Sequence, residues 1–142
     1  MFWAIVTSTM LGSLALAAPA LVVQAPDSPV RIERARLVDA GDAPAVVVYA
    51  ATNLTADEVD TLTVMAFVFR DGVLKARQVA PARRTLAPHE TKFSAMVLDG
   101  FPLEPNDVVV VGVNQVQRAG SENWWRADLQ AAAETLVKRP PK

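Results

Sequence analysis

Few residues in this 142-residue chain have side chains suited to catalysis. His89 is the only histidine, and the chain contains no cysteine. A hydrolytic triad needs a nucleophile, a base and an orienting group, and the turn expected after Pro88 puts the only imidazole on a solvated loop. The lack of cysteine excludes disulfide scaffolds, thiolate zinc sites and cysteine nucleophiles, and one histidine excludes paired-histidine metal motifs. We therefore expect a protein that is not an enzyme and that has no cofactor and no metal site.

Three acidic residues are the remaining candidates for chemistry. Asp57, Glu58 and Asp60 lie close together in one predicted loop. A glycosidase would need two carboxylates facing each other across a cleft about 5–10 Å wide, and a chain this short has little material for such a cleft. A Ca²⁺ site in the loop is the other alternative, but the spacing does not match the EF-hand pattern. We interpret the three residues as a solvated acidic loop.

The residues best suited to recognition are one aromatic pair and one basic pair. Trp124 and Trp125 are adjacent in a predicted strand, and neighbouring side chains of a strand point to opposite faces. At most one of them can therefore enter the core, and the other must be covered by a helix, another chain or a ligand, or be exposed. Arg83 and Arg84 are either solvated loop residues or contacts to an anionic envelope partner. These four residues are the candidate partner-binding residues.

Composition limits the class of protein. The net charge is −1, from 14 Lys and Arg against 15 Asp and Glu, so the basic excess of a general nucleic-acid binder is missing. Hydrophobic residues make up 51% of the chain and charged residues 20%, which excludes a disordered protein. The length suits one domain with one core.

The N-terminal stretch is typical of an export signal. All of the charged side chains lie at or after Asp27, and residues 2–26 are uncharged and mostly apolar. We predict a signal peptide over residues 1–20, with cleavage after Ala17 or after Ala20 at small-x-small sites. The alternative is an uncleaved membrane anchor over residues 2–23, since about 20 apolar residues can span a bilayer.

The rest of the chain has the pattern of an antiparallel sandwich, because short apolar runs alternate with turn residues. Asp71-Gly72 between two such runs indicates a tight hairpin. Two runs, over residues 61–69 and 108–116, are apolar on both faces, which favours central positions in their sheets. The sequence predicts seven strands, over residues 30–38, 45–53, 61–69, 73–79, 91–98, 107–117 and 122–126.

A C-terminal helix is predicted over residues 129–139. Asp128 is a suitable N-cap, and apolar residues from Leu129 to Val137 recur at helical spacing. Pro140 and Pro141 end the helix. The apolar face either covers one sheet of the sandwich or docks to another chain.

The segment from Val47 to Leu98 resembles the FxLYD-type family of bacterial immunoglobulin-like domains. The matching elements are a strand ending in Asn53, an aromatic strand running into Asp71-Gly72, and a Leu-x-Pro-x-Glu-x-x-Phe element from Leu86, in the sequence Leu-Ala-Pro-His-Glu-Thr-Lys-Phe. The family more often has Gly at the position of His89. The resemblance implies a fold and a setting outside the cytoplasm, and it implies no activity.

From these patterns we expect an exported, all-β, immunoglobulin-like sandwich with a short C-terminal α-helix, forming one domain over residues 28–139. It would be a non-enzymatic binding or accessory module of the bacterial cell envelope, periplasmic or secreted. Its partner would be a protein or an envelope component and not nucleic acid, and a homo-oligomer is possible. The alternatives are a subunit tethered to the inner membrane and a small protease inhibitor that uses the exposed loop of residues 85–90.

Overall fold

In the part of the chain that the structure describes, two β-sheets pack face to face, with one helix on the outer side. The computed structural model describes residues 16–39, 43–82 and 85–138. The strands in these ranges are β1 (Leu16–Pro19), β2 (Leu21–Val22), β3 (Val30–Asp39), β4 (Val46–Asn53), β5 (Val59–Arg70), β6 (Val73–Ala82), β7 (Thr91–Val97), β8 (Val108–Arg118) and β9 (Trp124–Arg126). The helix is α1 (Gln130–Lys138).

From β1 to β9 the chain passes between the two sheets five times. The first sheet has the order β1-β3-β4-β7, and the second has the order β2-β8-β5-β6, with β9 also paired to β8. The hairpins β3–β4 and β5–β6 lie in different sheets, and β7 and β8 then return to pair with β4 and β5. The prediction of an all-β sandwich with a short C-terminal helix is confirmed at this level.

All seven strands predicted from the sequence are present as β3 to β9. The hairpin between β5 and β6 turns at Asp71 and Gly72, with φ angles of 53° and 77°. Positive φ at both central residues is the geometry of the two-residue turn that Asp-Gly favours. Strands β5 and β8 are neighbours in the interior of the second sheet, as their apolar character on both faces predicts.

Helix α1 covers the outer face of the second sheet. Phe67 and Phe69 of β5 are fully buried on that face, in one cluster with Leu129 and Ala133. The opposite face of β5 contributes to the main core between the sheets. The helix therefore covers its own sandwich, which is the first of the two roles that its sequence allowed. No helix in the described ranges has the length and apolarity needed to cross a membrane.

The helix begins as its sequence indicates. The Asp128 carboxylate accepts a hydrogen bond from the backbone N–H of Gln130 at 3.1 Å, which satisfies one of the N–H groups that the first turn leaves without a partner. Its start at Gln130 differs by one residue from the prediction, and its last predicted residue, Arg139, lies outside the described residues.

Two further strands precede the seven predicted ones: β1 lies in the predicted leader, and β2 follows directly after it. Strand β1 is antiparallel to β3 in the first sheet, and β2 is parallel to β8 in the second. The chain thus changes sheets at Ala20. The predicted cleavage point after Ala17 lies within β1, and the one after Ala20 lies directly before β2. Residues 1–15, which hold the rest of the predicted leader, lie outside the described residues.

Candidate functional site: the Trp124 cleft

The two adjacent tryptophans of β9 have different environments. In the pairing with β8, Trp125 lies opposite Val116 and Trp124 lies opposite Gln117. Val116 is buried in the main core, and Trp125 packs partly buried against the same cluster. Trp124 does not belong to that cluster and is half-buried. The prediction that at most one tryptophan enters the core is confirmed.

Trp125 is further held by the segment that precedes β3. Its indole Nε1 donates a hydrogen bond to Asp27 Oδ2 at 3.2 Å. The ring therefore packs against the sandwich while its polar edge reaches a surface carboxylate, a common arrangement for tryptophan. We assign Trp125 a structural role, because it connects β9 to the N-terminal segment.

Trp124 forms one wall of a surface cleft of about 410 Å³, which we call the Trp124 cleft. Thr61 lies opposite Gln117 in the β5–β8 pairing, and Gln117 lies opposite Trp124 in the β8–β9 pairing. The three side chains therefore form one row across three strands. Asp60 and Thr85 complete the lining.

A short bridge brings the last two lining residues together. Val59 and Leu86 exchange two backbone hydrogen bonds, each of 2.9 Å. Since Asp60 follows Val59 and Thr85 precedes Leu86, this bridge sets the two polar residues on the same side of the cleft. Both Val59 and Leu86 are fully buried, so their packing fixes the position of the bridge.

Asn53 anchors the loops behind this bridge. Its side chain is fully buried, and Nδ2 donates hydrogen bonds to the carbonyl oxygens of Asp57, Leu86 and Ala87 at 2.8, 3.2 and 3.2 Å. Its Oδ1 accepts from the backbone N–H and the hydroxyl of Thr55. One carboxamide thus satisfies several polar groups that would otherwise lack partners, and it ties the acidic loop to the segment that carries Thr85.

The basic pair of the sequence analysis, Arg83 and Arg84, lies outside the described residues. Thr85, the next residue in the chain, lines the Trp124 cleft. The fold therefore brings Thr85 to Trp124, across a sequence separation that no motif reveals.

His89 lies away from the Trp124 cleft, at the tip of an exposed turn. The N–H of Glu90 donates to the carbonyl of Ala87 at 3.0 Å, Pro88 takes the second position, and His89 has a φ of 63°. These are the features of a type II turn. Within the loop considered for a protease inhibitor, residues 85–90, Leu86 is buried while Thr85, Ala87, Pro88 and His89 are exposed.

The acidic loop is organised by its backbone. The carbonyl of Asp57 accepts from Asn53 Nδ2 and from the Thr55 hydroxyl, and the side chains of Asp57, Glu58 and Asp60 are exposed. Among the described residues there is no group of three or more His, Asp or Glu side chains arranged to hold a metal ion.

A charged cluster that the sequence analysis missed lies at the start of β8. Arg70 forms a two-pronged ion pair with Asp107, with Nε–Oδ1 and Nη2–Oδ2 both at 2.8 Å. The Asp107 side chain is only 1% exposed. The hydrogen bond from Arg70 lowers the pKa of Asp107 against the opposing effect of burial, and the bond to Asp107 raises the pKa of Arg70.

This ion pair organises the loop before β8. Asp107 Oδ2 also accepts from the backbone N–H of Glu104 at 2.8 Å, while the guanidinium lies 5.4 Å from the centre of the Phe101 ring, within cation–π range. Asp107 and Glu104 border a second cavity, of about 620 Å³. The Arg70–Asp107 pair could not be predicted because its two residues are far apart in the sequence. The one signal available was an Arg at the end of one predicted strand and an Asp at the start of another.

Comparison with known proteins adds one structural likeness. No family model and no curated protein matches this chain. A solved structure, the Salmonella enterica trimeric lipoprotein SadB, is similar over 80% of this chain and 67% of its own, with 14% sequence identity and a TM-score of 0.43. At this identity and score the likeness carries no functional argument.

Proposed function

We propose that this protein is an exported, non-enzymatic binding module of the bacterial cell envelope, with an immunoglobulin-like sandwich that presents the Trp124 cleft to a partner. The single observation that carries the proposal is the position of Trp124. A large aromatic side chain is left half-buried in a cleft, whereas its neighbour Trp125, also half-buried, packs against the main core. Tryptophan is among the residues most enriched at the energetic centres of protein interfaces.

The order of strands supports the immunoglobulin-like assignment. Immunoglobulin sandwiches pair strand B with E in one sheet and strand C with F in the other, and variable-type domains add C′ beside C. Here β4 pairs with β7, and β8 pairs with β5 and β9, with β6 beside β5. If β3 is labelled A, then β4 corresponds to B, β5 to C, β7 to E and β8 to F.

The turn at His89 supports the FxLYD-type resemblance. His89 has a φ of 63°, a left-handed backbone angle that glycine adopts without steric cost. The family more often has Gly at this position, as a turn of this kind favours. Asn53, the last residue of the matching strand, is the buried anchor of the same loop region.

The chemistry of the cleft supports binding rather than catalysis. Its described lining offers a carboxylate, two hydroxyls, an amide and an indole, from Asp60, Thr61, Thr85, Gln117 and Trp124. These groups donate and accept hydrogen bonds and provide one aromatic surface. The described lining has no imidazole, the base that most often activates a hydroxyl nucleophile.

Site-specific photo-crosslinking in the bacterium that makes the protein tests the proposal. A photoreactive phenylalanine derivative replaces Trp124 in one variant and Val73 in another, because Val73 is 55% exposed in the hairpin after β5 and lies outside the cleft lining. We expect an adduct of higher mass at position 124 and none at 73. Adding Gln117→Lys should remove that adduct. No adduct at 124, or the same adduct at both positions, would overturn the proposal.

A further inference from the structure

We propose that two copies of this chain pair through strand β7, so that their first sheets join into one continuous antiparallel sheet. Strand β7 is the last strand of the first sheet. Within the described ranges it pairs with β4 on one side, and no other strand pairs with its second side. An edge of this kind presents backbone N–H and C=O groups to a further strand.

The hydrogen bonds at the two ends of β7 show which backbone groups face outward. Asn53 N–H donates to Glu90 O, and Leu98 N–H donates to Ala45 O. In an antiparallel pair, bonded residues alternate along the strand, so the even-numbered residues of β7 bond to β4. The odd-numbered residues Thr91, Phe93 and Ala95 therefore direct their N–H and C=O groups away from the sheet.

The outward carbonyl at the C-terminal end of β7 is already used. Val97 O accepts a hydrogen bond from Gln78 Nε2 of β6, and Gln78 Oε1 accepts from Asp99 N–H. This leaves an open edge from Thr91 to Ala95, with Phe93 at its centre. Two copies related by a two-fold axis at Phe93 would pair Phe93 with the partner's Phe93 and Thr91 with the partner's Ala95, since a two-fold contact is self-complementary.

Two large apolar side chains on the outer face of this edge are exposed. Phe93 is 55% exposed and Val97 is 48% exposed. Their register partners on β4 are also apolar: Val46 is half-buried and Ala50 is fully buried. Helix α1 packs on the second sheet. Pairing about Phe93 would set the two phenylalanine rings side by side, a favourable cross-strand pair.

Edge strands of soluble proteins are normally protected by charges, prolines or bulges, and β7 has little of this protection. Its register with β4 has no bulge. Its single charged residue, Lys92, donates to Thr85 O at 2.7 Å and is thus held within its own chain. By contrast, the edge strand β6 carries exposed Lys75 and Arg77 and has a register shift against β5.

The net charge of the protein is compatible with a second copy binding at the β7 edge. The net charge of the whole chain is −1, so two copies repel each other weakly, and proteins near zero net charge associate more readily. The open edge is also complementary to itself without any change of conformation. A second copy is therefore the occupant that the edge geometry and the charge both favour.

Light scattering coupled to size-exclusion chromatography of the full chain, over a range of concentrations, tests the proposal. We expect a mass that rises to twice the monomer mass. Phe93→Lys should return it to the monomer by adding like charges at the axis. Ala95→Pro should do the same by removing one outward N–H, at an edge position where proline is tolerated. Val79→Lys is the matched control, since Val79 is 47% exposed on the edge strand β6, and it should remain dimeric.

Hydrogen exchange separates strand pairing from other modes of association. In the dimer the amides of Phe93 and Ala95 should be protected, and Phe93→Lys should remove this protection while the β4–β7 amide of Ser94 stays protected. A monomer at all concentrations would overturn the proposal. A dimer that survives Ala95→Pro, or one without protection at Phe93, would also overturn it, because strand pairing would not hold it together. Circular dichroism shows that each variant is folded.

Discussion

The backbone oxygen of Val23 occupies space that any side chain at residue 112 would need. A Cβ atom built on Gly112 would lie 2.5 Å from Val23 O and 2.8 Å from Leu129 Cδ1. Val23 N–H also donates to Val111 O at 2.9 Å. One glycine in β8 therefore lets the N-terminal segment and the residue before α1 pack onto the same strand.

We predict that Gly112→Ala destabilises the fold by about 1–3 kcal/mol, the usual cost of overpacking a tight site. Val23 O is a backbone atom and cannot move without displacing the segment that follows β2. Chemical denaturation measures the loss, and hydrogen exchange should show faster exchange at Val23 and in α1. Val79→Ala is the control, since Val79 is 47% exposed on β6 and its side chain can be shortened without affecting this packing. Unchanged protection at Val23 would mean that this packing is not needed.

Asn53→Ala should lower the free energy of unfolding by about 1–3 kcal/mol, the cost of leaving buried polar groups without partners. Asn53→Asp should cost more, because an acceptor would then face the carbonyl oxygens of Asp57, Leu86 and Ala87. Urea denaturation measures both effects. Asn123→Ala, at an exposed position, should change little. Equal stability of Asn53→Ala and the parent protein would contradict the anchoring part assigned to Asn53.

Asp107 should make the stability of the protein fall in acid. Arg70 lowers the pKa of this carboxyl in the folded state, so its stabilising effect is fully present above the unfolded-state pKa of about 3.9 and is lost as the pH falls through the lower folded-state value. Asp107→Asn should destabilise the protein at neutral pH and flatten the fall in thermal midpoint below about pH 4. Glu122→Gln, at an exposed position, is the control. An unchanged acid profile in Asp107→Asn would contradict this account.

Substitutions of the two tryptophans should have different effects, one on stability and the other on partner binding. Trp125→Ala should cost on the order of 2 kcal/mol, less than a fully buried Trp, since its ring is partly buried and bonded to Asp27. Trp124→Ala should leave the unfolding midpoint nearly unchanged and remove partner binding. Arg83→Glu with Arg84→Glu should also weaken binding to an anionic partner, and unchanged binding in that variant would remove the basic pair from the proposal.

The intact mass of the protein recovered from a fractionated bacterial host tests the leader prediction. We expect the periplasmic product to lack residues 1–17 or 1–20. Loss of 1–20 would remove β1 and leave the β3 edge without that neighbour, whereas Val23 would stay in its place beside Gly112. Full mass in the membrane fraction would instead favour the tethered alternative.

Catalytic turnover of a substrate would directly contradict the proposal that this protein is not an enzyme. His89 is the only histidine of the chain, and its turn position is exposed. We expect His89→Gly to keep the fold and the binding activity, because glycine suits the positive φ of this turn. An activity of the parent protein that this variant loses would overturn the proposal.

The sequence by itself determined the local elements. The alternation of apolar residues located β3 to β9, the Asp71-Gly72 pair located the hairpin turn, and Asp128 marked the start of α1. Each of these depends on residues within a few positions of one another, since the direction of side chains in a strand or helix follows from its own period. The burial of β5 on both faces was predicted from the same pattern.

Tertiary structure decided which of these elements meet. The row of Thr61, Gln117 and Trp124 depends on the register of three strands. The Arg70–Asp107 pair depends on the pairing of β5 with β8, which brings the end of one strand beside the start of the other. Strands β1 and β2 were hidden because a short apolar run containing Pro19 has the composition of a leader. Side-chain period carries no information on strand register between distant segments, so the Trp124 cleft and the open edge of β7 arose only from packing.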